Sequence, residues 1–105
     1  MIIVEQRDYH VYTGKLPELV RLYETEGTAI QQEILGTLVG AFTTDVGELS
    51  TYTHMWAYES FADREERRAR LAADERWKGF LGKIQPLIHT QQNRILTPTP
   101  FSLLQ

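Results

Sequence analysis

Ring-bearing side chains alternate with smaller ones between residues 51 and 58. The ring-bearing positions are Tyr52, His54, Trp56 and Tyr58. Successive side chains of a β-strand point to opposite faces, so a period of two predicts a strand with all four rings on one face. The intervening Thr, Met and Ala residues are uncharged as well, so neither face of this strand is plainly polar. In a sheet that contains this strand, at least one face must be covered by other parts of the protein.

A capped helix follows this strand directly. Ser60 and Asp63 have the spacing of a capping box, which predicts a helix from Phe61 to about Ala73. Arg64 and Arg68 are four residues apart, so their guanidinium groups lie along one stripe of that helix. A ring-rich strand face and an arginine stripe that leave the same turn could form the wall of a pocket. They could equally form a packed core with a salt-bridged rim.

Apolar periodicity predicts three more strands and further helix. The strands cover residues 2–12, 35–43 and 87–96. Pro17 stands where the first helix would begin, and Gly27 is its predicted break. Asp74 is a second N-cap, and the helix after it is amphipathic up to Pro86. The element order is β-α-β-β-α-β, which predicts an α+β, ferredoxin-like fold. Its antiparallel sheet has the strand order 4-1-3-2, with both helices on one face.

The face of this sheet without helices is predicted to be covered by a second subunit. A small sheet that is wet on one side should alternate apolar with charged residues, and the strand at 51–58 does not. The chain is therefore predicted to be a homodimer. The apolar C-terminal residues, FSLLQ, are predicted to dock and not to trail in solvent.

Length and composition set the broad class. With 105 residues, the chain is predicted to be one domain, spanning 1–105. A net charge of −3 gives no electrostatic reason to bind nucleic acid. The lack of cysteine excludes disulfides, thiolate metal sites and a cysteine nucleophile. No apolar run reaches the roughly 20 residues that span a bilayer, and no signal peptide is apparent, so a cytoplasmic location is predicted.

Several segments, in order and over nearly the whole chain, resemble the NIPSNAP family. They are EQRDYHVYTGKL, LVGAFTTDVGEL, HMWAYESFADREERRARL, DERWKGF and QQNRILTPTPFSLL. The resemblance implies a dimeric α/β barrel, in which two ferredoxin-like sheets pack their bare faces together. It implies no defined reaction, because the family has none that is generally established. Relatives by fold include cofactor-independent monooxygenases and isomerases, but activity does not follow from fold.

The candidate site residues lie around the turn at 58–61. The candidates for ligand binding are Arg64, Arg68, Trp56 and Tyr58, because arginine offers a planar fork of donors to an anionic or carbonyl ligand. The candidates for a catalytic proton handler are His54, Tyr9 and Tyr52. The structural alternatives are surface ion pairs for the arginines and core packing for the rings. No metal or cofactor is predicted, since the three histidines lack a motif spacing.

Three classes of function are consistent with the sequence. The first is a small-molecule-binding protein of undefined activity. The second is a cofactor-independent monooxygenase or isomerase that acts on a small carbonyl or aromatic substrate. The third is a structural assembly protein, which would have no concave pocket. Whether the protein is an enzyme is left open by the sequence.

Overall fold

The computed structural model describes residues 2–105. Its strands are β1 (Ile3–Val11), β2 (Thr37–Thr43), β3 (Thr51–Tyr58) and β4 (Ile88–Leu96). Its helices are α1 (Leu16–Leu22), α2 (Thr28–Leu35), α3 (Phe61–Ala73) and α4 (Glu75–Ile84). A π-helical segment, Tyr23–Gly27, joins α1 to α2, and a short 3-10 helix, Gln85–Leu87, precedes β4. The strands form one antiparallel sheet in the order β2-β3-β1-β4, which confirms the predicted ferredoxin-like arrangement.

The predicted start of α3 is confirmed by its cap. The Ser60 hydroxyl accepts a hydrogen bond from the backbone N–H of Asp63 at 3.0 Å. The Asp63 carboxylate in turn accepts from the backbone N–H of Glu59 at 3.1 Å. Asp74 caps α4 in the same way, with its side chain accepting from the N–H groups of Arg76 and Trp77. These bonds satisfy N–H groups that the first turn of a helix leaves without partners.

The predicted break at Gly27 is wrong. The chain stays helical there, with φ of −68° and ψ of −43°, and continues directly from the π-helical segment into α2. Gly27 is buried against the ring of Phe80 on α4, and an added methyl group would overlap three atoms of that ring. The glycine therefore allows two helices to approach closely, a use of the residue that a propensity argument does not separate from helix breaking.

The ring-bearing face of β3 is the face that the helices cover. Pairing of β1 with β3 places Glu5 opposite Trp56, Arg7 opposite His54 and Tyr9 opposite Tyr52. The four rings predicted to share a face are all buried, and their relative exposures lie between 0% and 5%. Helical side chains pack directly on them; the Tyr23 ring, for example, stacks on Tyr52 with 4.9 Å between centroids. The rings therefore point toward the helices and not toward the open side of the sheet.

The opposite face of the sheet has no helix over it. It carries apolar side chains, including Val4, Met55 and Leu96, which line a shallow groove. It also carries a polar patch in which the Thr53 hydroxyl donates to Asp8 at 2.7 Å. This open face is thus mixed, and less uniformly apolar than the sequence predicts. Phe42, on edge strand β2, is 55% exposed.

Of the C-terminal residues predicted to dock, Leu104 contacts its own chain, whereas docking of Phe101 and Leu103 on a second copy stays a prediction. Phe101 and Leu103 are 86% and 106% exposed, respectively. Leu104, at 38%, lies in the shallow groove beside Val4 and Met55. This end of the chain runs beside the open face of the sheet. None of the helices between residues 2 and 105 has the length and apolarity that crossing a membrane requires.

Candidate functional site

A buried carboxylate organises the layer between sheet and helices. Glu5, in the middle of β1, has no exposed surface. It accepts hydrogen bonds from Arg64 at 2.8 and 3.1 Å, from Arg7 at 3.0 Å and from Asn93 at 2.8 Å. Burial alone would raise the pKa of this carboxyl group, but the bonds from Arg64 and Asn93 and the charge of Arg7 lower it to about 2. Glu5 is therefore ionised at every physiological pH.

Three guanidinium groups lie near this single carboxylate, and two of them pair with it. Arg7 and Arg64 form ion pairs with Glu5, whereas Arg68 forms no ion pair with any residue in the described part of the chain. The charge of Arg68 nevertheless acts on Glu5 and helps to lower its pKa. Three positive charges against one negative charge leave an excess of two. Such an excess in a partly buried layer favours an anion as the missing partner.

Arg68 also has an unsatisfied atom. Its Nη1 is buried and has no hydrogen-bond partner, and the buried hydroxyl of Tyr58 has none either. Burial raises the pKa of the Tyr58 phenol, and the charge and hydrogen bonding of the neighbouring Arg68 partly offset that rise. The contact between the two groups falls short of normal hydrogen-bond geometry, so both atoms count as unsatisfied. Buried polar atoms without partners are uncommon, so this pair marks a place where the fold is not optimised for packing alone.

A cleft of about 310 Å³ opens beside Arg68, between β1 and β4 on one side and α3 and α4 on the other. Its polar lining comes from Arg7, Tyr9, Arg68, Gln85 and Gln91. The rest of its lining is apolar and belongs mostly to the helices: Leu71, Ala72, Trp77, Leu81, Ile84 and Ile88. Apolar walls with a few polar groups are typical of small-molecule sites.

Tyr9 faces the cleft in a fixed orientation. The Nε–H of Arg7 donates to the Tyr9 hydroxyl at 3.0 Å, and the guanidinium carbon lies 5.7 Å from the centre of the ring. A phenol that accepts a hydrogen bond from a cation keeps its own proton for donation, and the Tyr9 proton can go either to the neighbouring Tyr23 hydroxyl or to a group in the cleft. Among the three predicted proton handlers, Tyr9 lines this cleft, whereas Tyr52 and His54 do not.

His54 is enclosed by the rings of Tyr9, Tyr23 and Tyr52, whose centroids lie within 5.7 Å of its own. Its Nδ1 accepts a hydrogen bond from the indole N–H of Trp56 at 3.0 Å, so a neutral imidazole must carry its proton on Nε2. Burial, reinforced by the charges of Arg7 and Arg68, lowers the pKa of His54 to about 3. His54 is therefore neutral near pH 7 in the folded chain.

The other predicted residues do not line the cleft. The guanidinium of Arg64 is held by Glu5, Trp56 is fully buried, and Tyr58 is 2% exposed. Burial raises the pKa of Tyr52, which packs between Tyr9 and Tyr23. The residues of the cleft that α4 and β4 supply were not among those predicted from the sequence. The amphipathic spacing of Trp77, Leu81 and Ile84 was their one signal, and it is also the ordinary pattern of a core helix.

The histidines do not converge. His10 and His54 lie on opposite faces of the sheet, because β1 residues 7 and 10 differ in face and pair with residues 54 and 51 of β3. His10 contacts Thr51 and Glu48 on the open side, and His89 packs against Tyr12. Across residues 2–105 no three side chains of His, Asp or Glu are grouped so that they could hold a metal ion.

Comparison with known proteins places these features in a family. The NIPSNAP family model matches residues 4–103. Protein NipSnap homolog 3A from Homo sapiens is 31% identical over 106 residues, which cover 99% of this chain and 42% of that protein. Protein NipSnap homolog 2 from Homo sapiens is 33% identical over 103 residues, covering 98% of this chain and 35% of that protein. The chain thus spans less than half the length of these curated relatives.

Solved structures extend the comparison. A NIPSNAP family protein from Agrobacterium tumefaciens superposes with a TM-score of 0.97 at 50% identity, covering 99% of this chain and 91% of that one. A protein from Nitrosomonas europaea, assigned as an antibiotic biosynthesis monooxygenase, superposes with a TM-score of 0.70 at 9% identity, covering 96% and 93%. The second likeness concerns the fold alone. From the family model and the close structural match, the chain belongs to the NIPSNAP family.

Proposed function

We propose that this NIPSNAP protein binds a small organic acid or carbonyl compound in the cleft between its sheet and helices α3 and α4. The observation that supports the proposal is Arg68, which lines a largely apolar cleft and lacks the acidic partner that Arg7 and Arg64 have. Arginine without a carboxylate in a partly buried layer is costly unless a ligand or ordered water satisfies it. A bound anion would meet that requirement.

The predicted ligand-binding residues then divide into two groups. Arg68 contacts the ligand, together with Arg7 and Tyr9 from β1. Arg64 holds Glu5, and Glu5 fixes the guanidinium of Arg7 at the edge of the cleft. Tyr58 is a buried neighbour of Arg68, and the fully buried Trp56 donates a hydrogen bond to His54.

A screen that includes a blocked cleft tests this proposal. Ala72 lines the cleft from an exposed position on α3, so Ala72→Phe should fill it with little effect on folding. We expect ligand-observed NMR with mixtures of small metabolites to give hits for the wild type that disappear in Ala72→Phe. Hits that are equal for both proteins, or no hits at all, would contradict binding in this cleft.

One observation favours an enzyme as a second candidate. The hydrogen bond from Arg7 to Tyr9 presents an oriented phenol to the cleft, and a cofactor-independent oxygenase or isomerase needs such a proton handler. The fold shared with the assigned monooxygenase is compatible with this but does not supply an activity. The third candidate, an assembly protein, would have no concave pocket, so the presence of the cleft argues against that function.

We also propose that a second copy of the chain covers the open face of the sheet. Val39 and Phe42 of β2 and Leu96 of β4 are 41%, 55% and 38% exposed there. Phe101 and Leu103 of the C-terminal segment are exposed as well and would be covered by the same partner. A symmetric dimer is the commonest way to bury such a surface.

Light scattering at low micromolar concentration is the test of the dimer. We expect the wild type to have twice the 12.2 kDa mass of the chain. Met55→Asp, which puts a charge into the groove beside Val4 and Leu96, should shift the protein to monomer. Ala69→Asp, on an exposed position of α3, is the matched control and should remain dimeric. A wild-type monomer would refute this proposal.

A further inference from the structure

We infer that the ligand of the cleft is a monocarboxylate with an apolar body larger than a single ring, bound through the guanidinium fork of Arg68. The inference rests on the proposed binding function and specifies its ligand class. It depends on three features: which donors are already occupied, how few polar groups line the cleft, and how large the cleft is.

The donors of the three arginines are not equally available. Arg64 uses its Nε and Nη2 on the two oxygens of Glu5, which is a complete fork-to-fork pair. Arg7 uses its Nε on Tyr9 and its Nη1 on Glu5. Arg68, the other arginine of this cleft, forms no ion pair within residues 2–105, and because its Nη1 is enclosed, the fork it can offer a ligand is Nε with Nη2. A single available fork matches the two oxygens of one carboxylate, as the Arg64–Glu5 pair shows in the same layer.

The composition of the lining disfavours a phosphate group. A phosphate monoester brings two charges spread over three oxygens, each of which needs donors when it leaves water. Besides the arginines, the polar side chains of the cleft are Tyr9, Gln85 and Gln91. The amide groups of Gln85 and Gln91 can donate, but both side chains are exposed, so the donors in the buried part of the cleft belong to Arg7, Tyr9 and Arg68. The two oxygens of a carboxylate match the fork of Arg68, whereas the third oxygen of a phosphate would have to turn toward the exposed glutamines.

The size and walls of the cleft indicate the body of the ligand. Its volume of about 310 Å³ is roughly twice that of an engineered cavity of about 150 Å³ that binds benzene. The indole of Trp77 lines the cleft and stacks on Phe80 with 5.1 Å between centroids, which gives it a rigid aromatic wall. Leu71, Leu81 and Ile88 complete the apolar surface. Two fused rings, or an aliphatic chain of similar size, would fill this space.

A series of ligands with one body and three head groups tests the inference. We expect calorimetry to show that 2-naphthoate binds more tightly than 2-naphthamide and 2-naphthyl phosphate, and that benzoate binds at least tenfold more weakly than 2-naphthoate.

Variants of Arg68 test the anchor. Arg68→Gln should lower the affinity for 2-naphthoate at least tenfold, as loss of charge-assisted hydrogen bonds predicts, and should leave the affinity for 2-naphthamide almost unchanged. Arg68→Lys, which keeps the charge and loses the fork, should also weaken 2-naphthoate. Arg70→Gln, on an exposed position of the same helix, is the control and should bind like the wild type.

Each contrary result would overturn one defined part of the proposed ligand class. Equal affinity for 2-naphthamide would refute an anionic anchor, and tighter binding of 2-naphthyl phosphate would refute the carboxylate. Equal affinity for benzoate would refute the size of the body. In all three cases binding in the cleft would stand. If no compound of the series binds, but other hits of the screen are lost in Ala72→Phe, the ligand class is wrong and the proposed function is right. If no hit is lost in Ala72→Phe, the proposed function itself is wrong.

Discussion

Glu5→Gln is expected to lower the free energy of unfolding by about 3–5 kcal/mol at pH 7, as the removal of one partner from a buried ion pair does. Glu5 is fully buried and is the acceptor for Arg7, Arg64 and Asn93. The amide would place a donor against two cations and leave an excess of three positive charges in this layer. Urea unfolding of the wild type and the variant measures the effect.

Glu33→Gln is the matched control for this experiment. Glu33 forms an ion pair with Arg76 at the surface, where its side chain is 61% exposed. Surface pairs contribute between zero and about 1 kcal/mol, so the control should unfold almost like the wild type. If Glu5→Gln were no more destabilising than Glu33→Gln, the central role of Glu5 in this layer would be wrong.

Loss of stability in mild acid is the second large effect that we expect, and it should depend on His54. The pKa of this histidine falls from an ordinary value of 6.5 to about 3 in the folded chain. Below pH 6.5 the unfolded chain therefore binds a proton that the folded chain refuses. The free energy of unfolding is unaffected by this group above pH 6.5 and decreases as the pH falls from 6.5 toward 3. The decrease amounts to about 2 kcal/mol at pH 5. Urea unfolding between pH 8 and pH 5 should show this slope.

His54→Asn should remove most of that slope, because asparagine does not titrate and keeps an acceptor for the indole N–H of Trp56. His89→Asn, on an exposed position of β4, should keep it. The pH window separates the two buried groups: the contribution of Glu5 is complete above its ordinary pKa of 4.5 and is lost only as the pH falls from there toward 2. If the free energy of unfolding of His54→Asn fell with pH as steeply as that of the wild type, a group other than His54 would be responsible for the loss of stability.

The strands and the caps could be predicted from local sequence because each depends on residues close together in the chain. The alternation from Tyr52 to Tyr58 sets which side chains share a face, and the Ser60–Asp63 spacing sets where α3 begins. Which face the helices cover could not be predicted from β3, since neither face carries charge. In the folded chain, the buried partners of the rings come from β1 and the helices.

The roles of Arg64 and Arg68 could not be separated from the sequence for a similar reason. The two residues have the same side chain, lie on the same stripe of α3 and differ by one turn. What distinguishes them is Glu5, which lies 59 residues before Arg64 in the chain and is brought to it by the pairing of β1 in the sheet. A contact between such distant residues has no local signal, so the availability of Arg68 becomes visible only in three dimensions.

The π-helical segment at Tyr23–Gly27 lets the first helical region hold one residue more than a regular α-helix without changing which side chains face the sheet. A π-turn holds one residue more than an α-turn. Deleting that one residue should therefore restore an α-turn and keep Gln31 and Leu35, both buried on α2, directed at the core. A deletion within α1 has no such outlet, because each residue of an α-helix turns the following segment by about 100°. Within this fold, insertions and deletions should therefore be tolerated in the loop at 44–50 and rejected in α1, whereas the π-helical segment should tolerate the loss of a single residue.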